Sequence, residues 1–267
     1  MNKAERLREI IEAAPPLAVA VSGGVDSVTL ALFIAHTRPD CSMFHALSPA
    51  VPTRATDRVR SFAGTNNWDL TEIVAGEFDD ENYLANPYNR CFYCKMNLYA
   101  EIRKKTELLI VSGANVDDMT DYRPGLTAAA NYNVRHPYVE AGFEKSDVRS
   151  LARQIGTAEL ADLPASPCLS SRIETGIGID PGVLASVNRI EEWLAAKFHT
   201  QTVRCRVRPH AITVEVDESC LRHLSPADKG IIRERIFREF LPHRSEITVD
   251  FSAYRMGSAF VAAAVKT

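Results

Sequence analysis

The chain has 267 residues, 46% hydrophobic and 24% charged, the balance of a globular enzyme with a full core, which excludes a disordered or fibrous protein. Lys and Arg number 31 against 34 Asp and Glu, a formal charge of -3, so no bulk positive field marks a nucleic-acid partner. Six cysteines are too few for a disulfide scaffold, no basic-then-apolar stretch opens the chain, and no apolar run reaches the ~18 residues of a membrane span; a cytoplasmic protein with reduced thiols and no membrane partner is expected.

From Asn2 to Ala13, Leu7, Ile10 and Ile11 recur at helical spacing among charged residues, which predicts an amphipathic helix ended by Pro15 and Pro16. Leu17 to Val21 is a short continuous apolar run between Pro and Ser-Gly-Gly, the signature of a buried parallel strand. The unit then repeats: a helix over Ser27 to His36, strand Cys41 to Leu47, helix Thr53 to Gly64, strand Asp69 to Val74, helix Asn97 to Lys105 and strand Leu108 to Ser112. Such alternation predicts an α/β fold with a doubly wound parallel sheet. After about Pro164 the pattern changes to a long helix (Pro181 to Phe198), a hairpin (Thr202 to Val207 and Ala211 to Val216), a helix (Ala227 to Phe240) and a strand (Glu246 to Phe251). A smaller C-terminal α+β domain is expected, with residues 1–168 and 169–267 as the two domains.

The strongest local signal is Val19-Ala20-Val21-Ser22-Gly23-Gly24-Val25-Asp26-Ser27, a strand entering a Gly-Gly turn and then a helix. Consecutive backbone N–H groups at such a turn form a concave nest for an anion, and the helix start adds partial positive charge, so phosphate is the natural occupant. The segment has neither the Gly-Lys-Ser/Thr ending of a Walker loop nor the third glycine of a dinucleotide fingerprint. Ser112-Gly113-Ala114-Asn115-Val116-Asp117-Asp118 closes the fourth expected strand and so lies beside this turn, since ligands of open α/β sheets bind beyond the carboxyl ends of the strands. Asp118 and its neighbour are candidate Mg²⁺ ligands or helix caps, and Arg123 is a candidate contact for a phosphate or a carboxylate.

Arg90-Cys91-Phe92-Tyr93-Cys94-Lys95 holds a lone CxxC, which fits half a zinc site, a redox pair or two packed thiols. Cys168, in Pro167-Cys168-Leu169-Ser170-Ser171-Arg172, is the candidate third ligand, and three thiolates with an open fourth position suit an iron–sulfur cluster. Cys41, Cys205 and Cys220 lie in apolar or alternating stretches and are expected to be packing residues. Arg172 is a candidate to stabilise developing negative charge on a substrate oxygen or phosphate, with surface decoration as the alternative, and Lys95 is a candidate for similar work or for lowering a neighbouring thiol's pKa, with an ordinary exposed lysine as the alternative. Arg206 and Arg208 alternate on an expected strand and share a face suited to a substrate phosphate or carboxylate; pairing with Glu215 on the neighbouring strand is the alternative.

Ser-Gly-Gly-Val-Asp-Ser at this place resembles the PP-loop of the ATP pyrophosphatases, the adenine nucleotide alpha-hydrolase superfamily. That resemblance implies cleavage of ATP between its α and β phosphates, with Ser22, Gly23, Gly24, Asp26 and Ser27 cradling pyrophosphate, Gly113, Asp118 and Arg123 beside them, and Asp26 helping to hold Mg²⁺. Asn-Pro…Arg-Cys-Phe-Tyr-Cys-Lys, Gly-Ala-Asn-Val-Asp-Asp, Pro-Cys-Leu-Ser-Ser-Arg-Ile, Arg206-Val207-Arg208-Pro209-His210 and Tyr254-Arg255-Met256-Gly257-Ser258 narrow the resemblance to the LarE family of ATP-dependent sulfur transferases in nickel-pincer cofactor synthesis. Pro209 stands where that family's pattern has a histidine.

The resemblance implies a PP-loop domain over residues 1–168, a C-terminal substrate and oligomerisation domain over 169–267, and a homo-oligomer. It also implies adenylation of a carboxylate of pyridinium-3,5-biscarboxylate mononucleotide and its conversion to a thiocarboxylate. Family members either sacrifice a single cysteine at the Cys168 position or use three cysteines to hold a [4Fe-4S] cluster; Cys91, Cys94 and Cys168 together favour the cluster type. A tRNA thiolase or an amide-forming ligase of the same superfamily are the competing enzyme readings, and a nucleotide-sensing module the non-enzymatic one.

Overall fold

Four short apolar runs of the first half become strands β1 (Leu17–Ala20), β2 (Cys41–Leu47), β3 (Leu70–Val74) and β4 (Leu109–Ser112) in this computed structural model, which describes residues 2–120, 124–165, 167–200, 202–244 and 246–261. They form one all-parallel sheet in the order β3-β2-β1-β4. β1 lies in the middle and is buried along its whole length, which is why its sequence is continuously apolar rather than alternating. Its side chains still divide by the period of two: Leu17 and Val19 join one core, Ala18 and Ala20 the other.

Helices cover both faces. On the first, α1 (Lys3–Glu12) and α2 (Val25–Thr37) bury Leu7, Ile11, Val28 and Ile34. Asn2 opens α1 with a capping box to Glu5, satisfying donors that a helix start otherwise leaves orphaned. α3 (Thr53–Asn66) follows β2, and the one-turn α4 (Glu81–Leu84) follows β3. α5 (Arg90–Lys105) then supplies Tyr99 and Ile102 to the second core. The sequence places the start of that helix at Asn97; it begins at Arg90, so Cys91 and Cys94 lie in its first turns. The early start is hard to read because Asn86-Pro87 argues for a loop, Asn89 makes no side-chain cap bond, and Cys-Phe-Tyr-Cys has modest helix propensity. After β4 come α6 (Pro124–Asn131), α7 (Pro137–Ala141), α8 (Lys145–Gln154) and the one-turn α9 (Ala158–Ala161). From β1 the chain moves to β2 on one side and later to β4 on the other, so the strand order reverses between β1 and β4. That reversal opens a crevice at their carboxyl ends.

Two units result: Met1–Asp80 with Asn89–Ser166, and Glu81–Tyr88 with Pro167–Thr267. The second contains α10 (Pro181–Phe198), β5 (Val203–Val207), β6 (Ala211–Val216), α11 (Glu218–His223), α12 (Pro226–Phe240) and β7 (Thr248–Ala253). Its sheet runs β5-β6-β7, antiparallel across the hairpin and parallel between β6 and β7. Buried Val187, Ile190, Ile232 and Phe240 fill the core beneath it. Residues 81–88 join this unit through polar stitches the sequence does not advertise. Asn86, with φ +52, donates from Nδ2 to the carbonyls of Glu174 and Ile177, both at 2.9 Å, and Tyr83 Oη lies 2.6 Å from Ser170 Oγ. Among the described residues no helix is long and apolar enough to cross a membrane.

Candidate functional site

The turn between β1 and α2 is shaped by close approach of backbone. Gly23 has φ +82, and a Cβ there would meet the Ala55 carbonyl oxygen of α3 at 2.5 Å; a Cβ on Gly113, just beyond β4, would meet backbone atoms of Asp26 and Ser27 at 2.9 Å. Only glycine fits either place. Ser27 closes the turn from inside: its Oγ accepts from Ser22 N at 3.0 Å, lies 3.1 Å from Ser22 Oγ and donates to Gly24 O at 3.2 Å. Gly24 caps α2 without a side-chain bond, so the helix start keeps its donors and partial positive charge for an anion.

Around this turn the structure gathers Asp26, Gly113, Asn115 and Asp118. Asn115 Nδ2 donates to Asp26 Oδ1 at 3.3 Å, and Asn115 N donates to Asp118 Oδ2 at 3.1 Å, closing a capping box on the 3-10 turn Val116–Met119. Asp118 therefore performs the capping role, with one oxygen on a backbone N–H. Lys145, at the start of α8, pairs through Nζ with Asp26 Oδ2, and its backbone N donates to Asp117 Oδ2 at 3.1 Å. His45 of β2 bridges the strand to α3, with Nδ1 2.8 Å from the carbonyl of Val21 and Nε2 2.9 Å from Thr56 Oγ1. Burial lowers the His45 pKa and favours the neutral ring; a neutral imidazole that donates at Nδ1 and accepts at Nε2 satisfies both contacts. His136 has Nδ1 2.9 Å from Ser112 Oγ, and burial lowers its pKa as well. Arg123, Asp121 and Tyr122 lie outside the described residues.

In the second unit Cys168 precedes the 3-10 turn Leu169–Arg172. Arg172 is 2% exposed and holds Glu191 with both forks, Nε to Oε1 at 2.9 Å and Nη2 to Oε2 at 2.8 Å. Its Nη1 donates to the carbonyls of Pro167 at 2.6 Å and Cys168 at 3.0 Å. Arg172 is thus buried rather than decorating the surface, and it fixes the backbone at the cysteine. Arg206 follows the pairing alternative: Nε meets Glu215 Oε2 at 2.9 Å, Nη1 donates to Ser171 O at 3.0 Å and Nη2 to Arg255 O at 3.2 Å. Arg208 is more open, with Nη1 2.7 Å from Glu174 Oε2 and 2.8 Å from Ser258 O. Cys205 is fully buried and burial pushes its thiol pKa well up, a packing residue. Cys220 lines an open cavity of about 650 Å³ with His199, Thr200, Asp217 and His223.

No family model matches the chain. The uncharacterized protein slr1717 of Synechocystis sp. is 32% identical over 80% of this chain and 81% of its own length. The uncharacterized protein MJ0830 of Methanocaldococcus jannaschii is 22% identical over 89% of this chain and 90% of its own. Pyridinium-3,5-bisthiocarboxylic acid mononucleotide synthase of Lactiplantibacillus plantarum, a LarE protein, is 27% identical over 90% of this chain and 87% of its own. This chain belongs to one family with slr1717 and resembles the LarE synthase over most of its length.

In this LarE-like chain Cys91, Cys94 and Cys168 are half-buried, and none of them is in a disulfide. Cys91 and Cys94 stand at i and i+3 on α5, hence on one face of the helix. Among the described residues of the first unit, no third His, Cys, Asp or Glu completes a metal site with them. Lys95 follows, its Nζ 5.8 Å from the centroid of the Tyr99 ring, and α6 rests on it at Gly125, where a Cβ would meet Lys95 Cγ at 3.1 Å. Sequence reasoning missed Lys145, His45 and His136. Each is an ordinary residue in its own segment, and only partners from other strands and helices give it a place near the turn.

Proposed function

We propose that the chain is an ATP-dependent sulfur transferase that adenylates a carboxylate of pyridinium-3,5-biscarboxylic acid mononucleotide or a similar acid, releases pyrophosphate and exchanges oxygen for sulfur to give a thiocarboxylate. The observation that carries this is the turn itself: two glycines pressed against backbone, with an uncapped helix start between them at the reversal of strand order. The LarE-like family, one of whose members is named for making the bisthiocarboxylic acid mononucleotide, supports the acceptor and the product.

A carboxylate resists attack because its leaving group would be a basic oxide. Its oxygen attacks the α-phosphorus of ATP, the bond to the β-phosphate breaks and pyrophosphate leaves. The N–H groups at the start of α2 and the hydroxyls of Ser22 and Ser27 are suited to the charge that develops there. Mg²⁺ would be held by Asp26 with Asp118 and would neutralise phosphate charge. Both oxygens of Asp26 have partners, Asn115 Nδ2 and Lys145 Nζ, so a cation held there would compete with the Lys145 ammonium. A sulfur nucleophile next displaces AMP from the acyl-adenylate. Cys91, Cys94 and Cys168 would hold a [4Fe-4S] cluster, which would supply the sulfur nucleophile in a reducing cytoplasm. Arg172 keeps the Cys168 backbone in place by gripping two carbonyls and Glu191. Arg208, the more open of the two strand arginines, is the better placed to reach a substrate anion.

The test is incubation of anaerobically reconstituted protein with MgATP, the biscarboxylate mononucleotide and sulfide. The expected result is an oxygen-for-sulfur mass change in the mononucleotide that Cys91→Ala and Cys168→Ala each abolish. An amide-forming ligase would leave the mononucleotide free of sulfur and tolerate both changes.

A further inference from the structure

Beyond β4 the first sheet gains a short extra run. Arg135 bridges Val111 in parallel, its N–H donating to Ile110 O at 3.0 Å and its carbonyl accepting from Ser112 N at 3.1 Å. His136 therefore reaches the carboxyl end of the sheet beside Ser112, the last residue of β4. Ser112 is in register with Ala20 of β1, two residues before Ser22 of the turn. With neighbouring strands about 4.8 Å apart, His136 stands two strands, or roughly 10 Å, to the side of that turn. Ile110 and Val134 join the core that α5 fills with Tyr99 and Ile102, so by alternation Ser112 and His136 lie on that same face. The first turns of α5, with Cys91, Cys94 and Lys95, begin at this end of the sheet, because the helix follows β3 and leads back to the start of β4.

Ser112 Oγ lies 2.9 Å from His136 Nδ1. Nε2 is open and has no hydrogen-bond partner among the described residues. A ring held only for packing is bonded at both nitrogens, as His45 is. A hydroxyl can accept from Nδ1–H in the neutral and in the charged ring alike, which leaves the Nε2 lone pair facing outward in the neutral one. Three charges face the imidazole: Glu140 from α7, Asp118 from the 3-10 turn and Lys95 from α5. Burial favours the neutral ring, the two acids favour the imidazolium and Lys95 opposes it.

We propose that His136, held by Ser112, is the base that takes the S–H proton of a hydrosulfide nucleophile as its sulfur attacks the acyl-adenylate. This rests on the sulfur-transfer reading and assigns a residue to its second step. Sulfur bonds to the carbonyl carbon, the electron pair of its S–H bond stays on sulfur, and the proton passes to His136 Nε2. The bond from the carbonyl carbon to the AMP oxygen breaks and AMP leaves with that pair. A thiocarboxylate, AMP and an imidazolium result, and the imidazolium returns its proton to water. Ser112 is the positioning residue, since it holds Nδ1–H before and after the transfer.

The experiment uses the anaerobically reconstituted full chain, as the parent, His136→Gln and Ser112→Ala, from mildly acidic to alkaline pH. Exchange of labelled pyrophosphate into ATP, dependent on the biscarboxylate mononucleotide and run without sulfide, reports adenylation. Thiocarboxylate formation with added sodium sulfide reports the second step. His136→Gln should keep exchange within about twofold and slow thiocarboxylate formation roughly hundredfold near neutral pH. That deficit should shrink as alkaline pH ionises the sulfide without help from the protein. Ser112→Ala should lose a few-fold with the same pH dependence. Exchange and thiocarboxylate formation falling together in both variants, or a deficit equal at every pH, would make the pair structural and overturn the inference. Unchanged thiocarboxylate formation in His136→Gln overturns it as well. A parent that exchanges pyrophosphate yet makes no thiocarboxylate refutes the sulfur-transfer reading beneath it.

Discussion

Arg58 in the first unit and Arg172 in the second each grip the backbone beside a segment proposed for chemistry, yet their surroundings are opposite. Arg58 is half-buried and donates to one carbonyl of a turn built from glycine and uncapped N–H groups. Arg172 is buried, doubly bonded to a carboxylate and fully engaged with two more carbonyls. Residue type does not decide what an arginine does; the partners the fold brings to it do. A guanidinium saturated from within the unit fixes geometry, while one with donors to spare is available to a ligand. Arg206 and Arg208 repeat the contrast along a single strand, the first committed to Glu215 and two carbonyls and the second more open.

The largest effect should come from breaking the saturated arginine. Glu191→Ala leaves Arg172 charged, buried and unpaired, and removes the acceptor for Cys205 N, which now bonds Glu191 Oε1 at 2.8 Å; denaturant unfolding should show a loss of about 3–5 kcal/mol. A smaller change would mean that water reaches Arg172 and that the two arginines differ less than described. Next is Gly23→Ala, where a positive φ and a 2.5 Å approach to Ala55 O combine. A stability loss of roughly 2–4 kcal/mol is expected, together with loss of ATP binding in an equilibrium titration. Retained nucleotide affinity would separate the turn from the nucleotide altogether.

The smallest effect is one of pH. His45 has its folded pKa depressed by burial, so the unfolded chain binds its proton more readily than the folded one. The stability this group contributes is complete above the unfolded value of about 6.5 and is lost as pH falls from there through the lower folded value. Thermal melts of the parent should fall more steeply between about pH 6.5 and the lower folded value than those of His45→Gln, which keeps the similar slope from His136. Equal slopes would show that His45 does not tie Val21 to Thr56 as a neutral ring.

Much of the first unit is legible in sequence because its signals are local. Leu17 to Ala20 is apolar without interruption since both of its faces are buried, and Ser22-Gly23-Gly24 announces a turn that needs glycine. Gly113 could be placed by the rule that ligands sit beyond strand ends. The rest depends on partners far away in the chain. Lys145 acquires its place from Asp26, 119 residues earlier, and Arg172 is buried because Glu191 lies on a helix 19 residues later. The start of α5 was hidden by Asn86-Pro87, whose asparagine is buried in the other unit rather than forming an ordinary loop. Hydrophobic period and turn chemistry reveal elements, but they carry no information about which charges meet.

The most direct measurement is pyrophosphate release from ATP, followed with and without the biscarboxylate mononucleotide in the absence of any sulfur donor. Pyrophosphate and AMP, never ADP and phosphate, are expected, formed only when the acid is present and lost in Gly23→Ala. Pyrophosphate produced at the same rate without the acid, or ADP as the product, would contradict the proposed function.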